Sequence, residues 1–192
     1  MVSEACRLGL VVAVSGLPGS GKTTLARALA EKLGLRYVSL GMIFRGIARE
    51  RGLSLEELSR IAEKDRSIDE LIDGRAREEA RRGCVVVDGH ISVWVLRDLA
   101  HLKILVVAPQ EVRVERVASR DGKSLEDARR EVVTREESER RRFLEFYGID
   151  VSNYEVADLV INTAKFGVEE MVELACEAAE LIVKSLREAR KA

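Results

Sequence analysis

Residues 16–24, Gly16-Leu17-Pro18-Gly19-Ser20-Gly21-Lys22-Thr23-Thr24, fit G-x-x-x-x-G-K-[ST] at every specified position, which leaves few architectures open. Before them, Leu10-Val11-Val12-Ala13-Val14 is a continuous apolar run, the composition of a strand buried on both faces. After them, Leu25, Ala26, Leu29, Ala30 and Leu33 recur at helical spacing, and Gly34 stands where a C-cap belongs. The order is strand, glycine loop, helix. Glycines at 16, 19 and 21 accept positive φ and put no Cβ between backbone and phosphate. The loop's N–H groups then converge on an anion, and Leu17, Pro18 and Ser20 belong to the same loop. The helix adds its N-terminal partial charge. Lys22 is expected to reach the β- and γ-phosphates, and the Thr23 hydroxyl, beside Thr24, to ligate magnesium.

The rest of the chain alternates strands with helices. Residues 36–40, 85–89, 102–107 and 158–162 read as strands two to five. Between the second and third, residues 41–83 hold only short helices: Gly41 marks a turn, a helix follows from Met42, and Ser54 with Glu57 forms a capping box. Asp65 or Ser67 caps the next helix, which runs to Arg82. Residues 91–100 hold one more short helix. Pro109 is expected at the first position of the helix Gln110–Ser119, and Ser124-x-x-Asp127 starts a charged helix to about Tyr147. An amphipathic helix closes the chain, its apolar stripe serving as core. The pattern predicts one α/β domain over 1–192, a five-stranded parallel sheet with helices on both faces. The third strand ends in Asp88, at the sheet edge where such folds bind ligands, and this aspartate is predicted to face magnesium, usually through water.

Composition removes several function classes. The 32 Lys and Arg against 33 Asp and Glu give a net charge of −1, without the basic excess of a nucleic-acid binder. No apolar stretch approaches a membrane span or precedes the chain as a leader, so a cytoplasmic protein is expected. Charged residues make up 34%, while Gln110, Asn153 and Asn162 are the only amides, a balance like that of thermophile proteins. Cys6, Cys84 and Cys176 are odd in number and far apart, which argues against zinc and against a disulfide; Cys84 and Cys176 read as small core residues.

Arg113, Arg116 and Arg120 share a helix face, and Arg129, Arg130, Arg135, Arg140, Arg141 and Arg142 crowd the next helix. Interleaved glutamates make a solvated face the plain reading. A phosphoryl-transfer enzyme, however, needs cations around the transferring group, and guanidinium forks suit phosphate oxygens.

This layout resembles the nucleoside monophosphate kinases, and within them archaeal-type cytidylate kinase. The carrying stretches are residues 38–45, 53–57 and 62–65, Arg135-Glu136-Glu137-Ser138-Glu139, Tyr147-Gly148-Ile149-Asp150 and Asp158-Leu159-Val160-Ile161-Asn162-Thr163. The resemblance covers about residues 10–185. It implies the phosphate-loop kinase fold, with residues 41–83 as the acceptor insertion and about 120–147 as an arginine-rich lid. It implies ATP and Mg²⁺, with CMP and dCMP as acceptors. By resemblance, Lys22, Arg120 and Arg135 are catalytic, Arg116 and Lys165 join the ATP site, and Asn162 to Lys165 pass the adenine. Ser39, Gly41, Arg45, His90, Glu136 and Arg142 form the acceptor site; Arg45 holds the acceptor phosphate and Glu136 lies near the cytidine. Two positions depart from the family's habit: Lys22 stands where relatives often carry threonine, and His90 stands where an arginine is usual. A protonated His90 would replace that cation and make affinity pH-dependent; a packing or hydrogen-bonding histidine is the alternative. The expected protein is a monomer acting on nucleotides. A kinase for another base or small molecule, adenylate-kinase-like, and an ATP-binding switch acting through a partner stand as alternatives.

Overall fold

The computed structural model describes residues 3–191, without the side chains of Leu55 and Glu56, so the outermost positions of the expected 1–192 domain lie outside the described residues. Strands β1 Val11–Ser15, β2 Arg36–Ser39, β3 Val85–Asp88, β4 Leu102–Val107 and β5 Leu159–Asn162 form one sheet in the order β2-β3-β1-β4-β5. Every pairing is parallel. Helices α1 Glu4–Arg7, α2 Lys22–Leu33, α3 Leu40–Glu50, α4 Leu55–Ala62, α5 Ser67–Arg81, α6 Ser92–Val95, α7 Gln110–Asp121, α8 Leu125–Tyr147 and α9 Val168–Ala189 surround it.

The packing of β1 explains why it is apolar from Val11 to Val14. Val11 and Ala13 face Ile47 of α3, Leu58 of α4 and Ile68 of α5. Val12 and Val14 face the other way, onto Leu25 and Leu29 of α2 and Met171 and Ala175 of α9. Both faces are covered, so the strand's one polar residue, Ser15 at its end, is buried and accepts from the Val93 N–H at 3.0 Å. A third cluster, Val114, Val117, Ala118, Ala128 and Val132, joins α7 to α8 independently of the sheet. Because the chain leaves β1 for the edge strand β2 and returns to flank β1 with β3 and then β4, its ligand-binding crevice lies at the carboxyl end of β1.

Three helices and no strand lie between β2 and β3, and Ser54 with Glu57 forms the capping box in full. The cap of α5 differs from the expectation: its N-cap is Arg66, with no side-chain cap bond, because Asp65 lies one position earlier, where it accepts from the Ser67 N–H at 2.9 Å. Elsewhere the boundaries shift. α3 begins at Leu40, so Gly41 lies inside the helix and is not a turn. Pro109 is the N-cap of α7, with ψ 149°, because an extended residue must turn the chain out of β4 before the helix can start. Asp158 stays out of β5: its carboxylate accepts from the Lys103 N–H at 2.7 Å and pairs with the Lys103 ammonium at 2.9 Å. α1 and a 3-10 turn at Tyr154–Val156 have no counterpart in the sequence pattern.

The cysteine reading is overturned. Cys6 and Cys84 form a disulfide across 78 positions, their Cα atoms 4.4 Å apart, linking α1 to the start of β3; Cys176 is free. A bridge closing so long a loop mainly restricts the unfolded chain and contributes about 2–4 kcal/mol. Dithiothreitol should therefore lower the melting temperature of the wild-type chain. Cys84→Ser should melt near the reduced wild type, with no further drop when reductant is added.

Candidate active site

The phosphate loop is shaped by contacts that admit no Cβ. One placed on Gly16 would lie 2.5 Å from both the Val106 carbonyl and Ser20 Oγ. One on Gly19, at φ 77°, would lie 2.5 Å from the Arg113 carbonyl. The loop is thus pressed against β4 and α7. Gly21 caps α2 with no side-chain bond, which leaves the helix's first N–H groups open to an anion. The Ser20 hydroxyl is buried without a partner among the described residues.

Lys22 opens α2 and is partly buried. Burial pushes its ammonium down to about 8, Asp88 and Glu139 oppose this, and Arg135 and Arg120 add to it. It remains cationic at neutral pH. Asp88 is buried opposite Val14, where it accepts from the Ser39 hydroxyl at 2.9 Å and the Tyr37 hydroxyl at 3.0 Å. Burial and the Asp88 charge raise the Tyr37 phenol. These two neutral donors orient the Asp88 carboxyl group. With the exposed Thr23 hydroxyl it offers hard oxygens, which fit Mg²⁺ completed by phosphates and water.

The arginines divide by burial. Arg113 is 5% exposed and turned inward: Nε donates to the Ala108 carbonyl at 2.9 Å, Nη1 to the Pro18 carbonyl at 3.4 Å, and the fork pairs with Glu136 on α8. Arg116 donates to the Thr163 hydroxyl at 2.8 Å, the Thr163 carbonyl at 2.7 Å and the Gly19 carbonyl at 3.4 Å. Thr163 in turn donates to the Ser20 carbonyl at 2.8 Å, so the loop is tied to the end of β5. Arg120 is exposed and bidentate to Asp121 at 2.7 Å. Arg135 donates through Nε to Glu139 Oε1 at 2.9 Å, and Glu139 Oε2 meets His90 Nδ1. Burial works against ionisation of Glu139, but its contacts with His90 and Arg135 outweigh that and hold the carboxyl at about 2.

The structure thus brings Lys22, Asp88, Ser39, His90, Arg120 and Arg135 to one end of the sheet. Arg142 faces the insertion, its Nε 3.0 Å from Asp69 Oδ2 on α5. Arg45 is exposed on α3 and folds back over Gly41. Lys165 is exposed in the turn after β5. Burial holds the His90 imidazole down at about 4, against the pull of Glu139, so it is neutral near pH 7 and does not supply the missing cation. A cavity of about 290 Å³ opens beside Gly16 and Leu17, walled by Trp94, Phe143, His90 and Glu136. Thr163, Tyr37 and the inward turn of Arg113 have no local sequence signal. Glu139 does have one, its i+4 spacing from Arg135, but that spacing is shared by surface pairs.

A parallel sheet of this order, with a phosphate loop after β1, a carboxylate ending β3 and arginine-rich helices α7 and α8 beside them, defines a phosphate-loop kinase. The fold recurs in a shikimate kinase from Bacteroides thetaiotaomicron (TM-score 0.62, 17% identity, 89% of this chain and 98% of that one). It recurs also in a gluconokinase from Sinorhizobium meliloti (TM-score 0.63, 17% identity, 95% and 98%). The chain belongs to the cytidylate kinase-like family, whose sequence profile matches residues 11–165. A cytidylate kinase of Staphylothermus marinus is 50% identical over 91% of this chain and 99% of its own, and one of Aeropyrum pernix 53% identical over 86% and 96%.

Two consequences follow from the buried charges. Glu136→Gln leaves Arg113 uncompensated and should lower the unfolding free energy by about 3–5 kcal/mol in denaturant titrations, with Arg113→Met/Glu136→Met recovering much of it. His90 has an ordinary value of 6.5 unfolded and about 4 folded, so between those pH values the unfolded chain alone takes up a proton. Stability should fall as pH drops through that window, by up to about 1.4 kcal/mol per pH unit. His90→Asn should flatten the slope.

Proposed function

We propose that this protein transfers the γ-phosphoryl group of ATP to the phosphate of CMP, and of dCMP, giving CDP or dCDP and ADP. The observation that carries this reading is the convergence of Lys22, Arg120 and Arg135, from three helices, on the mouth of an open helix N-terminus. Such an arrangement suits a polyphosphate undergoing transfer better than one merely held. The acceptor phosphate is already an anionic nucleophile, so no general base is needed. Catalysis is then alignment of two nucleotides and offset of charge. In this reading the loop N–H groups and Lys22 hold the donor phosphates, and Arg120 and Arg135 reach the transferring group from the lid. Thr23 and Asp88 would hold Mg²⁺, which when bound supplies charge neutralisation between the β- and γ-phosphates. Arg116 and Lys165 flank the adenine end, beside the turn that follows β5. Ser39, Gly41, Arg45 and Arg142 serve the acceptor on the insertion side.

For the base, the cavity beside Leu17 offers aromatic walls from Trp94 and Phe143 and the carboxylate of Glu136. Aromatic faces stack a flat ring, and a carboxylate accepts from an exocyclic amine such as that of cytosine. The chain is read as a cytoplasmic monomer; among the described residues no helix is long and apolar enough to cross a membrane. A disulfide inside the cell is in keeping with its thermophile-like composition.

Release of ADP, measured with CMP, dCMP, UMP and AMP offered singly, tests the reading. CMP and dCMP should be turned over. Preference for AMP by orders of magnitude overturns the base assignment, and no ADP release with any acceptor overturns the kinase. Lys22→Ala should lower kcat by about 10²–10³-fold with the fold intact. Arg45→Ala should raise the KM for CMP by about 10- to 100-fold, the worth of a charged hydrogen bond, with little change in that for ATP.

A further inference from the structure

Glu139 stands apart from the other lid carboxylates. Its partner Arg135 lies one turn away on α8, the spacing of a surface pair worth only a few tenths of a kcal/mol. Yet the Glu139 side chain is only 13% exposed against 47% for Arg135, and its second oxygen leaves the helix to meet His90 in the loop after β3. A buried carboxylate is costly unless its partners are fixed. The charges facing it are those of Lys22 below and Arg135 beside it, with His90 at the sheet edge and Asp69 of α5 on the insertion side. The same stripe of α8 carries Arg142, paired with Asp69, and Ser138, which donates to Glu63. One face of the lid helix is therefore pinned to the sheet edge and to the insertion at once.

We infer that Glu139 is a positioning residue: it clasps α8 to the loop after β3 through His90 and holds the exposed Arg135 guanidinium over Lys22 and the phosphate loop. This rests on the proposed phosphoryl transfer to CMP. A guanidinium ordered in advance meets the transferring group without first losing its rotamer freedom, so the clasp acts on kcat and leaves ground-state ATP binding nearly untouched.

The test combines kinetics with the single tryptophan, Trp94, which lines the cavity under the lid and needs no acceptor to report on it. Glu139→Gln should lower kcat for CMP about 10- to 100-fold while the KM for ATP stays within about twofold. The double variant Glu139→Gln/Arg135→Ala should be no slower than Arg135→Ala alone, since the first residue works through the second. Trp94 emission of the free protein should shift to the red in Glu139→Gln and stay put in Glu145→Gln, a change on the same helix. Glu139→Asp keeps the charge but shortens the reach, and should reproduce both effects if the glutamine variant folds poorly. Multiplicative losses in the double variant, wild-type kcat in Glu139→Gln, or an unmoved Trp94 emission would each overturn the clasp. A red shift in a protein whose wild type does not turn over CMP supports the clasp and rejects the acceptor.

Discussion

The buried ion pair between Arg113 and Glu136 is the joint on which the site depends. Arg113 reaches the phosphate loop at Pro18 and the end of β4 at Ala108, and its own carbonyl is the surface against which Gly19 closes. Glu136 brings in α8. Three segments far apart in sequence, the phosphate loop, the corner from β4 into α7 and α8, therefore meet at one guanidinium. Taking two charges out of water is expensive, and the cost is met only because the donors of Arg113 find acceptors on several sides. An apolar pair of similar volume would fill the space, but could not also hold two backbone carbonyls in place.

The same economy governs the rest of α7 and α8. The chain carries nearly equal numbers of acidic and basic residues, and at the mouth of the loop they are interspersed: Asp88, Lys22, Glu139, Arg135, Arg120 and Asp121. Cations brought this close would repel one another without the carboxylates between them. Phosphates can take over part of that role when nucleotides bind, so the carboxylates hold the site in shape beforehand. On the insertion side polar contacts join the apolar ones between α5 and α8: Arg142 with Asp69, Tyr147 beside Asp73, and Arg66, just before α5, 5.3 Å from the Tyr147 ring. Burial and the Asp73 carboxylate push the Tyr147 phenol well above its usual range.

How much of this could be read from the sequence depended on whether the determining contacts were local. The strand–loop–helix around residues 16–24, the capping box at Ser54 and Glu57 and the Ser124 cap are each specified within a few residues, and they were legible. Boundaries that turn on one residue's neighbours in space were not: Asp158 leaves β5 because Lys103 engages it, and Gly41 enters α3 where a turn seemed natural. His90 shows the limit within the site. Its protonation state is decided by burial and by Glu139, neither of which the string Asp88-Gly89-His90 reveals.

By itself the sequence determined the phosphate loop, the parallel sheet and the carboxylate at the end of β3, because glycine placement, apolar runs and strand–helix alternation act through the chain's own backbone. The tertiary structure alone decided which arginines are struts and which reach the open mouth, since a buried pair and a solvated one share the same helical spacing. It also decided that Cys6 and Cys84 meet, because 78 residues of chain say nothing of where their ends lie until the sheet has brought them together.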